Sequence, residues 1–173
     1  MNVVLIGMRG SGKSTVAKLL AVRLGWHYVE LDEAIAKKEG MAISDIVAEK
    51  GWHYFRERES EVVEIVASSD KIVISTGGGV VLREKNMVAL KRNGICVFLL
   101  APMDSLFEHV GGEDSELPRL TEQGSMREEI EEVWKIREPL YRKAADEILG
   151  TKQLTLEGVV EEILQRLQKR HIQ

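Results

Sequence analysis

A single cysteine, Cys96, excludes an intramolecular disulfide, and its place inside the apolar run Ile95–Leu100 marks it as a buried, inert thiol. No apolar stretch approaches membrane-spanning length, and no signal-peptide pattern precedes the first strand, so a cytoplasmic protein is expected. A basic block is missing too. With 24 lysines and arginines against 28 acids, the formal net charge of −4 argues against broad binding to nucleic acid or an anionic membrane. His27, His53, His109 and His171 are scattered without metal-ligand spacing, which speaks against zinc. Internal repeats, low-complexity tracts and interdomain linkers are also absent. The 173 residues are therefore expected to form one domain over 1–173, and 44% apolar content suits a sizeable folded core.

What the chain does have appears early. Gly7-Met8-Arg9-Gly10-Ser11-Gly12-Lys13-Ser14-Thr15 fits G-x-x-x-x-G-K-[ST], the P-loop, between the apolar run Val3–Ile6 and a helical pattern. A phosphate chain can lie against backbone N–H groups only where no side chain blocks it, which is why glycine recurs. The following helix points four unpaired N–H groups and the positive end of its dipole at the same anion. Lys13 is suited to reach terminal phosphates, and the Ser14 hydroxyl to ligate Mg²⁺.

The rest of the pattern is α/β. Asn2–Ile6, Tyr28–Leu31, Lys71–Ser75, Ile95–Leu100 and Asp146–Leu149 read as strands, with helical segments between them. Residues 32–69 are helical and charged, with breaks at Gly40 and Gly51, and exceed a minimal crossover; such an insertion commonly builds a substrate pocket. Residues 111–124 read as a mobile loop of acids, glycines and Pro118. Ser125-Met126-Arg127-Glu128 matches a capping box opening a long helix, which Pro139 is expected to kink. Right-handed crossovers then predict a parallel sheet of about five strands with helices on both faces, a three-layer α/β/α fold. The P-loop, Asp32 and Gly77–Gly79 follow successive strands and converge on the carboxyl edge, where such sheets bind ligands.

Several residues there could carry chemistry. Asp32 can cap the helix that follows it, or can face the phosphates and orient or deprotonate an acceptor hydroxyl. Glu30 falls on the same side of the strand, either as a solvated acid or as a partner of Mg²⁺, directly or through water. Gly77-Gly78-Gly79 permits a sharp turn or a close approach of backbone to ligand. Arg56, Arg58, Arg119 and Arg137 are surface cations or planar grips for carboxylate and phosphate. Arg56 is spaced to pair with Glu59, and Arg119 lies on the expected mobile loop, as a lid arginine would.

Taken in order, the P-loop, Asp32, Phe55-Arg56, the triple glycine, Pro118-Arg119-Leu120 and Arg137-Glu138-Pro139-Leu140-Tyr141 resemble the shikimate kinases over nearly the whole chain. The resemblance implies the nucleoside-monophosphate-kinase version of the P-loop fold, with a central five-stranded parallel sheet. It also implies transfer of the ATP γ-phosphoryl group to the 3-hydroxyl of shikimate with Mg²⁺, on the way to chorismate. By position, Gly10, Ser11, Gly12, Lys13, Ser14, Thr15 and Arg119 are then expected to hold ATP, with Lys13, Asp32 and Arg119 catalytic. Arg56 and Arg137 resemble the grip on the shikimate carboxylate, Gly78 and Gly79 the ring-hydroxyl contacts, Asp32 the group that activates the acceptor, and Ser14 the metal ligand. The expected partners are shikimate and ATP, and the expected state is a monomer. Segment 32–60 resembles the substrate-binding insertion and 111–124 the lid.

Four departures stand out: Glu30-Leu31-Asp32 for Asp-x-Asp, Trp52 after Gly51, His109 where many relatives carry arginine, and leucine at 117 before Pro118 in place of arginine. A related small-molecule kinase, such as gluconate kinase, and a non-catalytic nucleotide-binding module are the alternative readings.

Overall fold

A computed structural model describes residues 1–110, 118–119 and 124–171. Of the expected lid over 111–124, only Pro118, Arg119 and Gly124 fall within these; the remainder lies outside the described residues. The elements run β1 (Asn2–Ile6), α1 (Lys13–Leu24), β2 (His27–Glu30), α2 (Leu31–Glu39), α3 (Ile43–Ala67), β3 (Ile72–Ser75), a 3₁₀ turn (Val80–Leu82), α4 (Glu84–Lys91), β4 (Gly94–Leu100), α5 (Met103–Val110), α6 (Met126–Ala144), β5 (Glu147–Gly150) and α7 (Leu156–His171).

The strands form one five-stranded sheet in the order β2-β3-β1-β4-β5, and every pairing is parallel. Parallel strands must be covered on both faces, and all five residues of β1 are buried. Alternation along β1 splits the core in two. Val4 and Ile6 join Leu31, Ile46, Phe55, Phe98 and Tyr141 on one side. Val3 and Leu5 join Leu20, Val160 and Ile163 on the other, under α1 and α7. The expected three-layer architecture is the observed one. Register brings Leu5 and Glu30 level with Ser75, so the segments following β1, β2 and β3 leave the sheet side by side.

Local chemistry sets the element ends. Ser125 accepts from the Glu128 N–H at 3.2 Å while its own N–H donates to Glu128 Oε2 at 2.8 Å, completing the expected capping box. The helical segment after the triple glycine is interrupted: Arg83 is extended between the 3₁₀ turn and α4. α6 runs as helix through Pro139, which is exposed, as is Lys135 one turn earlier, so water can meet the carbonyl left without a partner. β2 ends at Glu30, one residue before its expected end at Leu31, and Asp32 lies inside the first turn of α2.

Gly51 breaks α3 with φ 81° and ψ 168°, and the half that follows it carries Trp52, Phe55 and Arg56 toward the sheet edge. An L-residue is strained at those angles whatever the free space around it. Gly51→Ala is therefore expected to lower stability by about 1–3 kcal/mol, read from denaturant midpoints. An unchanged midpoint would show that the bend tolerates a β-carbon.

Candidate active site

The loop from Gly7 to Lys13 joins β1 to α1. Gly12 occupies the cap position of α1 at φ 86° with no side-chain cap, leaving the first-turn N–H groups of α1 to an anion. The Lys13 side chain is buried. Its ammonium donates to the Gly7 carbonyl at 2.9 Å, the Met8 carbonyl at 2.7 Å and Ser11 Oγ at 3.4 Å, so all three donors are spent on its own loop. Burial lowers its pKa from 10.5 to about 8, opposed by the negative charges of Glu30 and Asp32.

Acids form the next wall. Ser14 Oγ donates to Glu30 Oε2 at 2.6 Å, the Tyr28 hydroxyl donates to the same oxygen at 2.8 Å, and Ser75 Oγ lies 3.3 Å from Ser14 Oγ. Asp32 is no helix cap: the cap residue of α2 is Glu30, without a side-chain capping bond. Burial raises the Asp32 pKa, Glu30 raises it further, and Lys13, Arg9 and Arg56 oppose both.

Arginines form the opposite wall. Arg56 Nη1 donates to both oxygens of the buried Glu59, at 3.0 and 2.9 Å, and its guanidinium lies over the Trp52 and Phe55 rings. Arg137, on α6, is buried, and burial pulls its pKa down. One turn later, Tyr141 donates to the Gly78 carbonyl. The triple glycine is a matter of room. A β-carbon at Gly77 would lie 2.8 Å from Asp32 Oδ1, one at Gly78 3.3 Å from Arg137 Nη1, and one at Gly79 would collide with the Arg56 guanidinium. Each glycine makes space for a different charged side chain.

These walls enclose a cavity of about 290 Å³ lined by Lys13, Ser14, Glu30, Asp32, Arg56 and Arg137, with Gly10, Gly12, Thr15, Gly78, Gly79 and His109 also on its surface. Ser11, buried, stays within the loop as a weak partner of Lys13. Two of the expected arginines stand apart. Arg58 pairs with Glu61 at 2.7 Å. Arg119 bonds through Nε to the buried Glu129 at 3.0 Å and through Nη2 to the Gly124 carbonyl at 3.0 Å, and does not line the cavity; its neighbour Pro118 does.

Arg9, Tyr28, Glu129 and Tyr141 also belong to the site or its supports, with no role of their own expected from the sequence. Arg9 lines the cavity, donates to the Pro118 carbonyl at 3.1 Å, and has its pKa lowered by burial and by Arg137. Its position inside the P-loop was the one available signal.

A phosphate-cradling loop, a carboxylate and a pair of arginines opening on one cavity define a P-loop kinase for a small anionic acceptor. A family model described as shikimate kinase matches residues 9–168. The chain is 41% identical over 166 residues to a shikimate kinase of Persephonella marina, covering 96% of this chain and 98% of that one. It is 40% identical to a shikimate kinase of Thermodesulfovibrio yellowstonii, covering 97% and 95%. Its fold matches the Acinetobacter baumannii shikimate kinase solved in complex with shikimate, with a TM-score of 0.93, 31% identity, and 99% and 95% coverage. The Aquifex aeolicus shikimate kinase matches with a TM-score of 0.81 at 33% identity, covering 99% of each chain. The chain belongs to the shikimate kinase family. It is an ATP-dependent kinase, and its reaction is the phosphorylation of shikimate in aromatic biosynthesis.

The buried Lys13 gives a pH prediction. Its folded pKa, about 8, lies below the unfolded value of 10.5, so protonation of the folded chain is disfavoured and this penalty to stability is relieved as pH rises from about 8 toward 10.5. An incoming phosphate favours the ammonium form. Nucleotide binding near pH 8.5 is therefore expected to take up protons, measured by calorimetry in buffers of different ionisation enthalpy, and Lys13→Met should abolish the uptake.

Proposed function

We propose that this chain transfers the ATP γ-phosphoryl group to the shikimate 3-hydroxyl with Asp32 as the proton acceptor and Arg56 and Arg137 as the carboxylate grip. The observation that carries this reading is that Lys13, Asp32, Arg56 and Arg137 line one cavity. The acceptor carboxylate takes bonds from Arg56, held by Glu59, and from Arg137, while Gly78 and Gly79 let the ring approach the backbone. The 3-hydroxyl lies against Asp32, whose raised pKa makes it a better proton acceptor than a free carboxylate. The hydroxyl oxygen bonds to the γ-phosphorus, the bond from that phosphorus to the β–γ bridging oxygen breaks, ADP leaves, and the hydroxyl proton passes to Asp32. Lys13 exchanges a loop carbonyl for a phosphate oxygen and offsets the charge that develops there.

The oxygens of Ser14, Glu30 and Asp32 suit Mg²⁺, a hard cation that takes one or two protein oxygens plus phosphate. When bound, it would neutralise charge on the phosphates. Ser14 would be its ligand, with Glu30 and Asp32 acting directly or through water. Gly10, Ser11, Gly12 and Thr15 complete the phosphate cradle, and Arg119 serves the transferring group by leaving Glu129. Lys13, Asp32, Arg56 and Arg137 come from one chain, and a monomer is the proposed state. Among the described residues no helix is long and apolar enough to cross a membrane. Dependence on ATP supports the cytoplasm as its compartment.

A coupled ADP-release assay with shikimate, gluconate and nucleoside monophosphates tests the acceptor: turnover on shikimate is expected, and turnover on gluconate alone would overturn the reading. Asp32→Asn should slow kcat by about 10²–10⁴-fold, the range of general-base catalysis, while retaining ATP binding; normal turnover would remove the proton-acceptor role. Arg119→Ala should lower kcat more than it raises the KM for shikimate, by about 10³-fold if the guanidinium meets the transferring group. An unchanged kcat would leave Arg119 as a partner of Glu129 only.

A further inference from the structure

We propose that Tyr28 sets the strength of the divalent-cation site by holding the Glu30 carboxylate on Ser14. The inference rests on Ser14 being the protein's metal ligand, and concerns what keeps that ligand in order. Glu30 is one methylene longer than an aspartate would be at this position. The extra carbon lets Oε2 reach the Ser14 hydroxyl at 2.6 Å, and adds a rotatable bond that something must fix. Tyr28 stands two residues earlier on β2, so both side chains leave the same face of the strand. Its hydroxyl donates to the same Oε2 at 2.8 Å. The ring packs against the α1–α7 core, with the Lys18 ammonium 5.5 Å from its centroid, so the donor comes from a fixed body.

The direction of these bonds matters. Because Ser14 gives its proton to Glu30, the lone pairs of Ser14 Oγ stay available to a cation. If Glu30 swung away, Ser14 could turn its proton elsewhere, for example to Ser75 Oγ at 3.3 Å, and its lone pairs with it. The Tyr28 hydroxyl has one proton to give, and at 2.8 Å it gives it to Oε2. Among the described residues, Glu30 Oε1 makes no hydrogen bond, so Oε2 alone fixes the carboxylate while Glu30 lines the cavity. Tyr28 does not line the cavity and is thus a positioning residue, acting through Glu30. Outer-shell partners of this kind change metal affinity by about 10–100-fold when removed.

The test is calorimetric titration of ADP into the protein, with saturating Mg²⁺ and with EDTA, taking the ratio of the two affinities. In the unaltered chain Mg²⁺ should tighten ADP binding; if it does not, the reading of Ser14 as a metal ligand fails, and this inference with it. Given that tightening, Tyr28→Phe should reduce the ratio by about tenfold, the lower end of the outer-shell range, while the affinity in EDTA stays unchanged. In an E30D background the shorter acid no longer spans to both hydroxyls, and Y28F should have no further effect on the ratio. A wild-type ratio in Y28F, an equal loss with and without Mg²⁺, or the same Y28F effect in the E30D background would each overturn the role of Tyr28.

Discussion

Three guanidinium groups compete for one small volume. Arg9, Arg56 and Arg137 are close enough that Arg137 lowers the pKa of Arg9, and Arg56 lowers both. Such crowding holds only where carboxylates are interleaved, and Glu59 is the chief one: it is 1% exposed and bonded through both oxygens to Arg56. Burial pushes the Glu59 pKa up, and the charge of Arg56 and its hydrogen bonds pull it back. Losing one member of a buried pair costs about 3–5 kcal/mol, because the other stays buried and unpaired. Arginines interleaved with carboxylates give the cavity a patterned field, in which an anionic group of an acceptor is favoured beside the guanidinium groups and disfavoured beside the acids.

The fold's task is to bring these charges to one edge without burying them blind. Parallel pairing sends the segments after β1, β2 and β3 out of the same side of the sheet, delivering Lys13, Asp32 and the glycines together. α3 and α6 must then reach over that edge from outside the sheet. α3 does so through its break at Gly51, and α6 through a helix long enough to carry Arg137 and Tyr141 one turn apart. The Tyr141 hydroxyl, bonded to the Gly78 carbonyl and 3.8 Å from the Met8 sulfur, ties that helix to both the glycine turn and the P-loop.

Much of this was legible in the sequence because the governing constraints are local. The P-loop glycines, the Ser125–Glu128 box and the spacing of Arg56 and Glu59 each express a short-range rule, and each is realised. Sheet membership followed from runs of Val, Ile and Leu, which only a doubly covered strand accommodates. What escaped was pairing across long separations. Arg9 meets Pro118 across 109 positions, Tyr141 meets Met8 across 133, and neither spacing leaves a periodic trace. The expected strand runs one residue too far, to Leu31, because β2 and α2 abut with no loop between them and no turn marks the boundary in the sequence. Neither the composition around Arg119 nor its Pro-Arg-Leu setting points to the buried Glu129 that it bonds, ten positions away.

Lys13 joins these themes. Its charge is kept in a buried place by carbonyls of its own loop, at 2.7 and 2.9 Å, and burial still depresses its pKa to about 8. A phosphate oxygen replacing one of those carbonyls changes the hydrogen-bond count little, but exchanges a dipole for an ion in a poorly solvated setting. The gain is therefore largely electrostatic. The loop's own carbonyls hold the ammonium in place, so in the proposed transfer little rearrangement would remain when charge shifts.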